Sequence, residues 1–567
     1  VRHHRSFLLV AAVVLAGGGS AFGQQFQNQT TTRFPAAGNN EYTNQMTFVD
    51  LEGDGDLDIV WANGQGYSSL GALLKPRMYI NNGTGTFTDE TDARAPGITG
   101  CFRGAEAGDI DGDGDMDLVL AQDFNRKPTL LINNGAGVFT NGSSQLPNIN
   151  MSSARAQFGD IDNDGDLDLI FNNSGTVSRF SANGRPRIFL NNGSGTFTDA
   201  PTTQAPTANI AEQMDILFLD ADNDLDLDIF VGSRAANNQL WLNNGAGVFT
   251  KIPSGAAGMP VGGATYSYDA GDIDGDGDLD MIGVNSGPGS QELLLKNNGL
   301  GTVWTNVSSS ITPNPNNDDN DSRFFDNDYD GDMDLIVGAL GGNDRFYVNN
   351  GTGVFTSQTG IIPTGTDSTL DVKVADLTGD GRLDIVTGQG ESGVFTNKIF
   401  VNISGAIDNR APVIKLTEQV VPGAGSGPFA VRAQVFDDSM NDRGFEFQPG
   451  AVKLVYTVDG GKPVEIAMTW VGASNYRAIL PDVGPCADVV YNVVATDRVG
   501  NTGTGPNRTY STEGCAVPGD LDGNGVVDAA DLAVLLGQWG GPGSADLDGS
   551  GTVDAADLAV LLGAWTA

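Results

Sequence analysis

The chain has 567 residues, and acidic side chains outnumber basic ones 71 to 30, for a formal net charge of −41. A surface of that sign excludes nucleic acid and anionic membranes as partners, since both require basic patches. Hydrophobic residues make up 39% and recur in short segments, so the chain reads as several folded domains and not as a disordered acidic polymer.

Arg2 and Arg5 precede an apolar run over residues 7–17, and small residues lead from it into SAFGQQ (20–25). This is the pattern of a secretory signal peptide, residues 1–23, cut after Gly23. Its apolar run is too short to cross a bilayer, which takes about 20 residues. The chain is therefore expected to be exported, secreted or held at the cell surface, with no membrane span after the leader. Both histidines, His3 and His4, leave with that leader. Imidazole is thereby excluded as general base, triad member or metal ligand.

From residue 24 onward one unit recurs seven times. An aspartate-rich motif begins at Asp50, Asp109, Asp160, Asp220, Asp272, Asp326 and Asp376, at spacings of 50 to 60 residues. Between motifs runs a second signature, Asn-Asn-Gly-x-Gly between apolar stretches, as in YINNGTGTFT (79–88). Asn and Gly accept positive φ cheaply, so this predicts a tight hairpin. Each unit then predicts four strands, in the second copy around EAGD (106–109), MDLVLA (116–121), TLLIN (129–133) and VFTN (138–141). Four strands at this period predict a propeller blade, and seven copies a mainly β chain with a seven-bladed β-propeller over 24–408. A straight solenoid, the alternative, has shorter repeats. The seventh unit stops after KIFVN (398–402), whereas FQNQTTTRFP (26–35) matches FTDETDARAP (87–96) in place and character. Residues 26–34 are expected to supply the missing outer strand and close the ring.

Inside each motif the acids fall on alternate positions, Asp-x-Asp-x-Asp-Gly-x-x-Asp. A curled loop makes them converge, which is favourable only around a hard cation. About six to eight oxygens from flexible carboxylates and one carbonyl suit Ca²⁺ better than Mg²⁺. Positions 1, 3, 5 and 9 are expected to give side chains and position 7 its carbonyl, with glycine at position 6 for the turn. Loop one offers Asp50, Glu52, Asp54, Asp56 and Asp58, and loop two Asp109, Asp111, Asp113, Asp115 and Asp117. Loop three offers Asp160, Asp162, Asp164, Asp166 and Asp168, and loop four Asp220, Asp222, Asp224, Asp226 and Asp228. Loop five has Asp272, Asp274, Asp276, Asp278 and Asp280, and loop six Asp326, Asp328, Asp330, Asp332 and Asp334. Loop seven has Asp376, Thr378, Asp380, Arg382 and Asp384. No acid follows at position 12, where Leu120 and Gly283 stand, so these are not EF-hands.

Loop, strand and Asn-Asn-Gly hairpin together resemble the FG-GAP/VCBS repeats of integrin-α-type β-propellers, over about 25–408. The resemblance implies calcium between the first two strands of each blade. Two loops depart from the pattern. Leu225 stands where loop four needs glycine, a strain of roughly 1 kcal/mol or more. Loop seven carries Thr378 and Arg382 in place of acids. Five strong sites and two weak ones are expected. A nearly complete ligand set without histidine points to structural and not catalytic metal.

Residues 411–513 alternate apolar and polar with turn residues between, which predicts a β-sandwich. It resembles the immunoglobulin-like or fibronectin-III-like spacers of secreted bacterial proteins. Cys486 and Cys515 flank its end and are positioned to pair in an oxidising compartment, whereas Cys101 reads as a small buried hydrophobe. Residues 517–567 repeat one unit twice. Asp520, Asp522, Asn524, Asp528 and Asp531 occupy loop positions 1, 3, 5, 9 and 12; Asp546, Asp548, Ser550, Asp554 and Asp557 repeat them. A helix follows each, with Leu532, Leu535, Leu536 and Trp539, then Leu558, Leu561, Leu562 and Trp565, on one face by helical spacing. The tandem resembles a type I dockerin, which implies two more calcium sites and a cohesin-like partner on a scaffold. Alanines at loop positions 10 and 11, Ala529–Ala530 and Ala555–Ala556, depart from that family's frequent Ser/Thr.

The calcium loops and hairpins are nearly invariant between copies, and the connections at the other end of the blades vary. Variation on a constant scaffold places specific function on that second face. Tyr67, Arg103, Phe124, Arg155, Arg234, Tyr266 and Arg323 are its candidates, suited to a carbohydrate or protein ligand. The favoured reading is a non-enzymatic, calcium-stabilised binding propeller docked through its tail. A polysaccharide lyase and a structural matrix protein are the alternatives.

Overall fold

The computed structural model describes residues 24–566 apart from 176, 179–182, 256–257, 260–264, 286–290, 366–367, 391–392, 422–424, 438–445 and 514–516. The leader, residues 1–23, and Cys515 lie outside the described residues. Among those described, no helix is long and apolar enough to cross a membrane.

The described residues between 26 and 402 form small sheets, antiparallel but for one short parallel pair, in a propeller-like arrangement. Seven of these sheets are built alike. The innermost strands are Thr43–Val49, Phe102–Gly108, Ala156–Gly159, Gln213–Leu219, Thr265–Gly271, Asp319–Phe325 and Thr369–Ala375. Each packs beside the next, and the last packs beside the first, so the ring closes. Both faces of each sheet are buried against neighbouring sheets. Hence strands such as Asp58–Asn63 are buried along their whole length and read as near-continuous apolar runs. One core between the last sheet and the first holds Phe34, Met46, Trp61, Tyr79 and Ile399.

Side chains on the innermost strands also tie neighbouring sheets together. Asp371 Oδ2 accepts the Met46 N–H (2.8 Å), Asp321 Oδ2 that of Val372 (2.8 Å) and Asp269 Oδ2 that of Phe324 (2.8 Å). Asp215 Oδ2 accepts the Tyr268 N–H (2.7 Å), and Gln157 Oε1 that of Phe218 (2.6 Å). Buried carboxylates thus replace ladder partners that one sheet cannot offer the next.

At the seam, Phe26–Asn28 pairs antiparallel with the last strand, Phe26 opposite Asn402 and Asn28 opposite Phe400. Only these three residues of the expected 26–34 are strand. Thr30–Arg33 makes one helical turn instead, as Thr91–Arg94 does after the outer strand Phe87–Asp89 of the first sheet.

Residues 413–511 form two sheets packed over one core that includes Val431, Leu454, Tyr476, Leu480 and Val493. Cys486 is disulfide-bonded, and Cys101 is a buried thiol outside any disulfide. This unit sits on the acidic-loop end of the ring. Asp160 N donates to Val471 O (2.8 Å), and Phe436 joins a core of the fourth and fifth sheets. The tail is a pair of short helices, Ala529–Gly537 and Ala555–Gly563, packed through Val527, Leu535, Val553 and Leu561. The expected single apolar face is split. Leu535 and Leu561 are buried, whereas Leu536, Trp539, Leu562 and Trp565 are exposed.

Candidate metal centres

In loop two the carboxylate of Asp109 accepts N–H groups from Gly112 (2.8 Å) and Gly114 (3.0 Å), which curls the chain around it. Gly114 has φ +92°, a conformation that L side chains rarely adopt. In loop four Leu225 takes the same conformation at φ +70°. The curl brings carboxylate oxygens of Asp109, Asp111 and Asp113 within 4.8 Å of one another. The same holds for Asp160, Asp162 and Asp168, for Asp220, Asp222 and Asp228, for Asp272, Asp274 and Asp276, and for Asp326, Asp328 and Asp330. Loop four therefore gathers its acids in spite of Leu225.

Several of these oxygens are buried and lack a hydrogen-bond partner: Oδ1 of Asp111, Asp160, Asp162, Asp222 and Asp274. Burial pushes Asp160 and Asp326 up to about 7 and Asp220 to about 6. Orphaned, desolvated carboxylate oxygens in a tight cluster fit a hard cation.

Position 9 has a second employment. Asp117 accepts N–H groups from Asn133 (2.7 Å) and Ile110 (3.3 Å), joining loop to hairpin. The equivalent bonds run from Asn81 to Asp58, Asn191 to Asp168, Asn243 to Asp228, Asn297 to Asp280, Asn349 to Asp334 and Asn402 to Asp384. Burial still raises Asp58, Asp334 and Asp384 to about 8, and Asp117 and Asp280 to about 7, against those donors. Asp168 and Asp228 are also raised well above the usual range, by burial.

The first hairpin asparagine does more than turn the chain. Asn133 Nδ2 donates to Leu51 O of the preceding sheet (3.0 Å) and to Met116 O (3.1 Å). Asn81, Asn191, Asn243, Asn297 and Asn349 reach back in the same way. These cross-sheet ties were not foreseen from the sequence, although the first asparagine recurs in every hairpin.

Three loops carry cations of the ring itself. Glu52 pairs with Arg94 (2.7 Å), Arg382 with Asp380 (3.1 Å), and Lys296 with Asp274 and with Asp276 (3.1 Å). Lys296 stands where other hairpins have Ile, Leu or Val, so the sequence did hold that signal. In the tail, Asp531 accepts N–H groups from Leu521 (2.6 Å), Asp522 (3.1 Å) and Asp528 (2.8 Å), and Asp557 repeats the set. These backbone donors, Asp528 N–H and Asp554 N–H foremost, hold both carboxyls below their usual range. The fit at tail positions 1, 3 and 5 follows the ring: Asp520 accepts N–H groups from Gly523 and Gly525, both at 2.8 Å.

At the other end of the ring the connections converge on the axis. A cavity of about 70 Å³ is lined by Gln45, Arg103, Arg155, Met214, Tyr266, Asn320 and Leu370, one from each sheet or the connection leading into it. Arg155 pairs with Asp215 (2.9 Å) and Asp321 (3.3 Å) below it. Tyr67 of the first sheet's connection accepts a hydrogen bond from Arg234 of the fourth (3.1 Å), and Arg234 lies over the Tyr266 ring at 5.9 Å. Arg103 lies over Phe124 at 5.8 Å but is itself only 2% exposed and is committed to Asn44 and to the Gly64 carbonyl (3.0 Å). Arg323 is not on this surface: it is 3% exposed and bound to Asp321 (3.0 Å) and Asp371 (3.4 Å). Burial opposes charge there, but Arg323 and Arg155 hold Asp321 low, at about 2.

Residues 50–120, 109–171, 172–231, 220–283 and 326–387 match the FG-GAP-like repeat, together just over half of the chain. The chain belongs to the FG-GAP-like repeat family. The matched FG-GAP-like repeats carry the loops that gather the carboxylates. Three solved structures are similar at low identity. BBS1N in complex with ARL6DN is 13% identical, with a TM-score of 0.41 over 68% of this chain and 99% of that one. The BP39L lectin from Burkholderia pseudomallei is 12% identical, with a TM-score of 0.43 over 65% and 97%. The Aleuria aurantia lectin with alpha-methyl-L-fucoside is 12% identical, with a TM-score of 0.33 over 58% and 98%. No curated protein matches the chain.

Proposed function

We propose that this chain is an exported, calcium-stabilised, seven-bladed propeller that binds a carbohydrate at the axial cavity opposite its acidic loops, without catalysis. The observation that carries this reading is the convergence of Tyr67, Arg234 and Tyr266 beside a cavity to which all seven sheets contribute. Aromatic faces and guanidinium and amide donors together suit the apolar faces and hydroxyls of sugar rings.

Calcium in the ring would be held by side chains at loop positions 1, 3, 5 and 9 and by the position 7 carbonyl. When bound it supplies charge neutralisation: two positive charges among carboxylates that otherwise repel one another. The residues themselves curl the loop, fix the hairpin and leave the orphaned oxygens. In the tail, Leu536 with Trp539 and Leu562 with Trp565 offer two equivalent apolar patches, which suits docking on a cohesin-like scaffold protein at the cell surface.

A glycan array run in calcium, beside a reducing-end and unsaturated-product assay, tests the reading. Binding without turnover is expected, weakened at least tenfold by Arg234→Ala with Tyr266→Ala. Turnover, or binding indifferent to that double substitution, contradicts it.

A further inference from the structure

Loop position 7 is aspartate in six of the seven ring loops, although a metal would take only its carbonyl. Charge that no metal uses is costly to retain on an acidic face, so it calls for another partner. That partner is on the same chain. Five cations between Arg410 and Arg498 lie over the acidic loops.

Over loop one, Arg498 Nη1 donates to Gly55 O at 2.8 Å. Over loop three, the Arg477 guanidinium covers Gly165 so closely that a methyl group there would lie 2.4 Å from it. At loop four, Arg432 pairs with Asp226 and donates to Leu225 O at 3.0 Å, with Asn475 Nδ2 on the same carbonyl at 3.2 Å. Between loops four and five, Lys415 Nζ donates to Asn223 Oδ1 of loop four (2.6 Å), whose Nδ2 donates to Asp278 of loop five (2.9 Å), and its stem lies over Gly277. At loop six, Arg410 pairs with Asp326 at 3.1 Å and covers Gly331.

Of the two remaining loops, loop seven fits the same pattern and loop two, with Asp115 at position 7, departs from it. Loop seven carries Arg382 at position 7, and its Gly381 carbonyl accepts the Asp408 N–H at 2.8 Å. Over Gly114 of loop two there is nothing within 4 Å.

We propose that the ring's acidic face is the seat on which the sandwich is held, with one cation at each of five loops, and that at loop four the position 7 aspartate is its docking residue. Position 6 serves the same seat with its carbonyl and, where it is glycine, with the space it leaves. The acidic face is thereby covered by the sandwich except near loop two.

The test is a charge swap on the full chain, read by small-angle scattering and by amide exchange at Leu225. Arg432→Asp with Arg477→Asp is expected to enlarge the radius of gyration and to speed exchange by at least tenfold. Arg432→Asp combined with Asp226→Arg is expected to restore both. Asp226→Asn, nearly isosteric, covers the event that the reversals fail to fold; it is expected to lower the NaCl concentration at which the units separate. Unchanged scattering and exchange in the double reversal, or a swap that restores nothing, overturns the proposal. Each arm is run in excess calcium and in EDTA. Docking that follows EDTA but ignores the swap also overturns it, whereas swap-sensitive docking indifferent to EDTA supports it even if the calcium reading fails.

Discussion

Replacing Asn133 by alanine removes the tie between the second sheet and the first. Its Nδ2 serves two carbonyls, Leu51 O at 3.0 Å and Met116 O at 3.1 Å, and the side chain is 6% exposed. Each net hydrogen bond is worth about 1 kcal/mol, and a buried carbonyl left without a partner costs about 1–3 kcal/mol. Alanine also opens a small void, so the expected loss is about 2–4 kcal/mol. Asn134 next door is the internal control. It is exposed, and its Oδ1 accepts N–H groups of its own turn from Ala136 (3.1 Å) and Val138 (3.3 Å). Asn134→Ala is expected to cost about 0.5–1 kcal/mol. Urea unfolding followed by tryptophan fluorescence measures both, with the ring transition separated from those of the sandwich and tail. Equal losses for the two alanines would refute the cross-sheet tie and reduce both asparagines to turn formers.

Phe26→Ala should loosen the seam of the ring by about 3–5 kcal/mol, because Phe26 is fully buried with Phe325, Phe346 and Phe400; proteolysis near residues 24–34 reports it, and an unchanged cleavage rate would contradict the closure. Arg155→Met should destabilise the ring by about 3–5 kcal/mol, since it strands buried Asp215 without its guanidinium while Asp321 keeps Arg323, and thermal melting checks the loss. Without divalent ions, the carboxyls of Asp58, Asp334 and Asp384 are raised to about 8 in the folded ring, against about 4 when unfolded. Their stabilisation is complete below pH about 4 and lost as pH rises through about 8. The chelated ring should therefore melt lower at pH 8 than at pH 5.5, and excess calcium should abolish that difference.

What the sequence revealed was what it repeated. Seven aspartate loops and the hairpins between them recur in step, so a mainly β ring was legible from spacing alone, as was the partner of the unpaired last strand. The acids of Asp215, Asp321 and Asp371, one to a strand and apart from the motif, gave no local signal, though they link neighbouring sheets. Arg323 was read as a surface residue because its strand neighbours do not reveal that the axis is filled. Arg410, Lys415, Arg432, Arg477 and Arg498 are scattered through the sandwich sequence, so only the fold brings them over the loops. In the tail, helical spacing placed Leu536 with Leu535, but two short helices bury one leucine each and leave its neighbour exposed.

The central claim, that the repeated loops hold calcium, is tested most directly by counting bound ions. Equilibrium dialysis of the metal-stripped chain against calcium, with metal content read by mass spectrometry, should return at least five ions for the ring and two for the tail. Asp109→Ala with Asp111→Ala should remove one. A chain that retains no calcium above buffer would contradict the account, as would a count unaffected by that double substitution.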